Sequence, residues 1–127
     1  PTQLSGGQQQ RVAIARTLAL QPDVILFDEP MSALDVDTRL ALREELKALQ
    51  KKFGTTMIYI THDQEEAFAM SDRIMVMGDG LIHQLDTPEN IIGAPSDDYV
   101  KEFVIKNINI KINSLIKFAG NNQRETL

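Results

Sequence analysis

No cysteine occurs among the 127 residues, so a disulfide framework and thiolate metal sites are excluded, and two histidines are too few to build a zinc centre. No apolar run approaches the roughly 20 residues that span a bilayer, and no charged-then-apolar signal segment opens the chain. A soluble protein, or one peripheral to a membrane, is expected. Basic excess is also lacking: 13 Lys and Arg face 18 Asp and Glu, a net charge of -5, which argues against a nucleic-acid partner. Missing too is any G-x-x-x-x-G-K-[ST] sequence, the loop whose lysine and backbone N–H groups cradle the β and γ phosphates of a nucleotide. There is no internal repeat and no low-complexity tract.

What is present suits one domain: 43% hydrophobic content at this length is enough to bury about 65% of the unfolded surface. Charge is uneven, with 8 basic and 16 acidic side chains up to residue 100 and 5 and 2 beyond it. At the front, Leu4-Ser5-Gly6-Gly7-Gln8 places a serine and two glycines at a helix start, where uncovered N–H groups let an anion approach. The helix runs on to Leu20 with Val12, Ala15 and Ala19, and Ile14 and Leu18 beside them, as its apolar positions, until Pro22 ends it. Val24 to Phe27, short and branched between Pro22 and Pro30, reads as a buried strand. Asp35 or Asp37 caps the next helix, which sets Leu42, Leu46, Leu49 and Phe53 on one face, puts Lys51 and Lys52 in its last turn and stops at Gly54.

Met57 to Ile60 is a second buried strand, and strand, helix, strand over about 30 residues is a right-handed crossover between parallel neighbours. Thr61 and Gln64 form a capping-box pattern for a short helix to Met70. Ile74 to Met77 and Leu81 to Leu85 flank Asp79-Gly80 as a hairpin at the sheet's edge. Thr87-Pro88-Glu89 and Ser96-Asp97-Asp98 start two further helices, the capping hydroxyls coming from Thr87 and Ser96. Past Phe103 the pattern is divided: Ile108, Ile110 and Ile112 alternate as in a strand, whereas Ile105, Ile108, Ile112 and Ile116 keep helical spacing; the strand is favoured. Gly120 to Leu127 is polar and expected to fray.

Ligands of open parallel sheets sit beyond the carboxyl ends of the strands, which is where Asp28, Glu29 and His62 fall. Consecutive residues of an extended segment diverge, so Asp28 can orient a hydrated magnesium while Glu29 polarises a water. Taken singly, each motif has a plainer reading: a flexible turn at Ser5-Gly6-Gly7, a solvated strand exit at Asp28-Glu29, a surface histidine at 62. Gln9 and Gln10 read as solvated, Arg11 and Arg16 as structural ion pairs, Met70, Met75 and Met77 as core filler, and His83 as uninvolved in chemistry.

Together, over residues 1 to 104, the motifs resemble the nucleotide-binding domains of ABC transporters in order and spacing. The resemblance implies an α/β fold belonging to the P-loop NTPases, mainly a parallel sheet with flanking helices and an antiparallel edge hairpin. It implies ATP and Mg2+ as cofactors. Leu4 to Gln8 would be the signature motif, with Ser5, Gly6, Gly7 and Gln8 capping an ATP held by a second nucleotide-binding domain in a head-to-tail dimer. Asp28 would orient the metal, Glu29 polarise the attacking water, His62 sense the terminal phosphate, and Ser32-Ala33-Leu34-Asp35 join the two subunits, Asp35 being the site residue of that loop.

The run from Thr61 to Ala67, then Met70 to Ile74 and Thr87-Pro88-Glu89, is similar to the ATPases of bacterial importers for polyamines, sugars, ferric iron or phosphonates. That implies transmembrane permease subunits, indirectly a substrate-binding protein, and a place at the cytoplasmic face of the membrane. Residues 105 to 127 would be a linker or the start of a regulatory extension.

The family's phosphate loop, its adenine-stacking aromatic and its magnesium-contacting glutamine have no counterpart in the 127 residues. These residues alone are therefore expected to be inactive and, lacking sheet neighbours, marginally stable or prone to associate. Two alternatives stand beside the importer ATPase. One is a non-catalytic fragment that dimerises and supplies the signature surface in trans; the other is a non-transport ABC-type ATPase.

Overall fold

The computed structural model describes residues 5–122; Leu4 of the opening motif and residues 123–127 of the polar tail lie outside them. The chain forms two compact units that meet at Met70 and Ser71 in sequence. Their content is the expected α/β mixture of parallel strands, flanking helices and an antiparallel hairpin.

The first unit holds α1 (Gly6–Ala19), β1 (Val24–Asp28), α2 (Val36–Phe53), β2 (Thr56–Ile60) and α3 (Gln64–Met70). β1 and β2 run parallel, in a register that sets Val24 against Thr56 and Asp28 against Ile60. Asp35, not Asp37, caps α2: its carboxylate accepts from the Thr38 N–H at 2.7 Å and the Thr38 hydroxyl at 3.0 Å. Gly54 ends α2 in the left-handed region at φ 64°, as a glycine C-cap does. Ile14 of α1, Ile25 and Phe27 of β1, Met31, and Leu42 and Leu46 of α2 form the core, each burial contributing about 1.5–3 kcal/mol. In α1 the inward stripe is therefore Ile14 and Leu18, while Val12 and Ala15 are exposed.

The sheet departs from the reading of two fully buried strands. Alternation turns Ile25, Phe27, Met57 and Tyr59 towards the helices, and turns Val24, Leu26, Ile58 and Ile60 the other way. That second face is bare, Leu26 being 70% exposed. Both core-lining helices, α1 and α2, pack on one side of the strands, so only one face is covered.

The second unit comprises β3 (Ile74–Gly78), β4 (Leu81–Asp86), α4 (Pro88–Gly93) and α5 (Asp98–Asn122). The expected hairpin forms as a two-stranded sheet of its own, with positive φ at both Asp79 and Gly80, the signature of a type I′ turn. Its alternation buries Ile74 and Val76 and exposes Met75 and Met77, which are therefore not core filler. Gly78 has no room for a side chain, since a Cβ there would lie 2.3 Å from the Tyr99 ring. Tyr99 stacks on His83 at 4.0 Å between centroids, and His83 Nδ1 pairs with Asp97 Oδ2 at 2.7 Å.

Thr87 caps α4 with Pro88 at the first helical position, as read from sequence. The α5 cap is Asp97 rather than Ser96: Asp97 Oδ1 accepts from the Val100 N–H, while the Ser96 hydroxyl donates to the His83 carbonyl. The strand favoured after Phe103 is instead the continuation of α5. A helix satisfies its own backbone groups, whereas a strand at Ile108 to Ile112 would need a partner.

Candidate active site

The end of β1 builds the site. Asp28 closes the register opposite Ile60, and the Glu29 N–H donates to the Ile60 carbonyl at 2.9 Å, carrying the ladder one residue further. Glu29 then adopts φ 45°, a left-handed conformation that costs a non-glycine residue on the order of 1 kcal/mol or more and that recurs at functional turns. The Ser32 hydroxyl and N–H both bond the Glu29 carbonyl, at 3.2 and 3.4 Å, and hold the turn in place. Gln10 of α1 donates to the Pro30 carbonyl at 2.8 Å, so it is a brace for this turn and not a solvated helix position.

Across from it, His62 follows β2 by two residues and sets Nε2 at 2.6 Å from Glu29 Oε1. The sequence expectation that these two residues share a strand-end rim is therefore met in space. One Glu29 oxygen held by the imidazole leaves the other able to accept from a water. The pair opens on a cavity of about 180 Å3 lined also by Ser32, Arg39, Thr61, Asp63 and Glu66. A larger groove of about 400 Å3 between α1 and α2 is apolar apart from Arg11 and Glu45, which pair with each other at 2.8 and 3.0 Å, so it offers no comparable chemistry.

Asp28 does not line the cavity. Alternation puts it on the same side as Leu26, so it and Glu29 diverge. No group of three acidic or histidine side chains able to hold a metal exists among the described residues. A lone carboxylate is nevertheless what Mg2+ uses when waters and nucleotide phosphates complete its octahedron.

The Ser5–Gln8 turn lies outside the cavity lining as well. It forms a full capping box: Ser5 Oγ accepts from the Gln8 N–H at 3.2 Å and Gln8 Oε1 accepts from the Ser5 N–H at 3.0 Å. The Gln8 amide and side chain are thus committed within the turn, whereas the Ser5 hydroxyl proton and the first-turn N–H groups of Gly6 and Gly7 have no intrahelical acceptor. Both glycines also answer to packing. A Cβ on Gly7 would sit 2.6 Å from Thr38 Cγ2, and one on Gly6 3.1 Å from Leu34 Cδ2. The Ser5–Gln8 turn therefore abuts the start of α2, where bonds from the Thr38 N–H and hydroxyl hold the Asp35 carboxyl below the usual carboxylate range.

Comparison with known proteins follows the same residues. The ABC transporter family profile matches residues 1–32. The chain is 59% identical over 104 residues to a spermidine/putrescine import ATP-binding protein of Pseudomonas aeruginosa, covering 82% of this chain and 28% of that one. It is 56% identical over the same length to an Fe(3+) ions import ATP-binding protein of Rhizobium meliloti and to a sulfate/thiosulfate import ATP-binding protein of Chromobacterium violaceum, covering 82% of this chain and 26% and 28% of theirs. The chain belongs to the ABC transporter ATP-binding domains. It spans little more than a quarter of the length of these curated relatives.

Within this ABC domain segment, the sequence reading missed the layer beneath His62. Glu66, only 4% exposed, accepts from the Tyr59 hydroxyl at 2.9 Å and the Thr61 hydroxyl at 3.1 Å. Burial, then the Glu66 carboxylate, pushes the Tyr59 phenol well above its usual range, so it stays a donor. Asp63, not Thr61, caps α3: its Oδ1 accepts from the Glu65 and Glu66 N–H groups. Thr61 is too early to cap, its hydroxyl being committed to Glu66 and to the Asp63 N–H. The signal was faint, because a seven-residue helix gives too few positions for an inward acid to stand out.

Proposed function

We propose that this segment is part of the ATP-hydrolysing, energy-coupling subunit of an ABC importer, with Glu29 as the base that polarises the attacking water and His62 as the group that senses the terminal phosphate. The observation that carries this reading is the 2.6 Å His62–Glu29 contact at the carboxyl ends of two parallel strands. Asp28 would contribute one ligand to Mg2+. Ser5, Gly6, Gly7 and Gln8 would face the ATP of a second nucleotide-binding domain: a helix N-terminus carries about half a positive charge, and Ser5 retains a hydroxyl donor. Asp35, fixed by Thr38, would take its place at that dimer contact.

Import is supported by the relatives' names, three different cargoes appearing at 56–59% identity, as would suit a shared ATP-handling part coupled to different permeases and binding proteins. No helix among the described residues is long and apolar enough to cross a membrane, which accords with a peripheral place on its cytoplasmic face beside permease subunits. Residues 1–104 would be the signature-to-switch portion of the domain and 105–127 a linker or extension; the 127 residues alone, without a phosphate loop, would not turn over ATP. That same missing loop is what favours a second reading, a non-catalytic piece supplying the signature surface to another subunit.

The test is ATP turnover by the full-length protein that carries this sequence. Glu29→Gln is expected to lower kcat by about 10² to 10⁴, the usual contribution of a positioned base, with ATP binding retained. A kcat within twofold of the parent would remove Glu29 from the mechanism.

A further inference from the structure

The His62 side chain is 93% exposed, so no packing shell fixes its ring; yet it meets Glu29 at 2.6 Å. Its aim must come from the backbone on either side, and both neighbours are anchored. Thr61 donates to Glu66 Oε2, and its oxygen accepts from the Asp63 N–H; Asp63 in turn caps the helix that bears Glu66. On the far side of Glu66, Arg39 brings Nε to 3.7 Å from Oε1 and Nη1 to 3.7 Å from Asp63 Oδ2, while Nη2 donates to the Leu34 carbonyl at 3.1 Å. One guanidinium thus touches the His62 turn and the loop that precedes Asp35. A buried acid facing a charged partner carries a desolvation cost that an apolar side chain of the same volume would avoid, so filling space does not account for it.

We propose that Glu66 and Arg39 are positioning residues that aim the His62 ring at Glu29 and tie the His62 turn to the Ser32–Asp35 loop, so that a shift of that loop moves the histidine. The activity arm of the test below rests on the hydrolytic reading of Glu29 and His62; the spectroscopic arm does not.

The measurement is the His62 ring resonance in the full-length protein, assigned by its loss in His62→Gln. Glu66→Gln keeps size and can still accept from Tyr59 and Thr61 but faces Arg39 without charge. It is expected to shift or split the His62 signal and leave His83 in place. Arg39→Met should do the same, and the double variant should exceed neither single variant by much, because both act through one contact. In turnover, Glu66→Gln should lower kcat roughly 10- to 100-fold, the scale of a misplaced catalytic group, with KM for ATP within threefold.

A His62 signal unmoved by Glu66→Gln in a folded protein overturns the proposal; should that variant not fold, Thr61→Val is judged by the same signal. If Glu29→Gln keeps normal turnover while the His62 signal answers to Glu66, the hydrolytic reading fails and the positioning role stands. If Glu29→Gln abolishes turnover while Glu66→Gln changes neither signal nor kcat, the positioning role fails alone.

Discussion

Each of the two units carries one histidine bound to one carboxylate at nearly the same distance, 2.6 Å for His62 with Glu29 and 2.7 Å for His83 with Asp97, and the surroundings differ in every other respect. His62 is 93% exposed, two residues past the end of β2, and faces the left-handed Glu29 over a polar cavity. His83 is 15% exposed, stacked on Tyr99, with its Nε2 buried and unbonded. A short imidazole–carboxylate contact is therefore no signature of chemistry by itself. A ring that solvent and ligand reach can exchange a proton with either, whereas a ring sandwiched against an aromatic holds a hairpin to the start of a helix.

The sharpest way to break the contrast is to remove what lies beneath each histidine. Glu66→Ala deletes the buried acid that anchors the His62 turn and leaves the Arg39 charge beside an emptied site; a loss of about 3–5 kcal/mol in a denaturant melt is expected. In the other unit, Gly78→Ala drives a methyl into the Tyr99 ring and unseats it from His83, at about 1–3 kcal/mol, with a changed near-ultraviolet signal as the local reporter. Gly7→Ala should cost a similar amount through Thr38 Cγ2. Adding Thr38→Ser, which removes that methyl and keeps the hydroxyl bonded to Asp35, should restore most of the loss if packing rather than ligand access demands the glycine.

The smallest effect is on pH. Bonds from the Val100 N–H first and from His83 second hold the Asp97 carboxyl below its ordinary range. A folded-state value below the unfolded one gives stability that is present above the ordinary carboxylate range and is lost as pH falls through the lowered value. Asp97→Asn should flatten that acid limb in melts taken across the acidic range.

Much of this was legible in the sequence where the cause is local. The Gly54 stop, the Asp79-Gly80 turn, the Thr87-Pro88 start and the strand ends bearing Glu29 and His62 each depend on a few adjacent residues, and each appears where read. What failed depends on partners. Val24 to Phe27 reads as buried because its residues are all apolar, but the degree of burial is set by what covers the second face, which is bare here. Ile108, Ile110 and Ile112 alternate like a strand and lie in a helix, since an alternating run without a neighbouring strand leaves its backbone unsatisfied. Glu66 was invisible for a third reason. Nothing in Thr61-His62-Asp63-Gln64-Glu65-Glu66 distinguishes the glutamate that turns inward from the one beside it until Tyr59 and Arg39 are seen to face it.

We propose that exposure and strand-end placement make His62 a working group, and that stacking on Tyr99 in a mostly enclosed position makes His83 a structural one. The most direct test is ATP turnover and melting of the full-length protein with His62→Ala and His83→Ala measured side by side. A turnover loss of about 10²-fold or more is expected for His62→Ala with little change in melting, and turnover within twofold of the parent but a lowered melting temperature for His83→Ala. Turnover that survives His62→Ala, or that is abolished by His83→Ala in a protein melting like the parent, would contradict it.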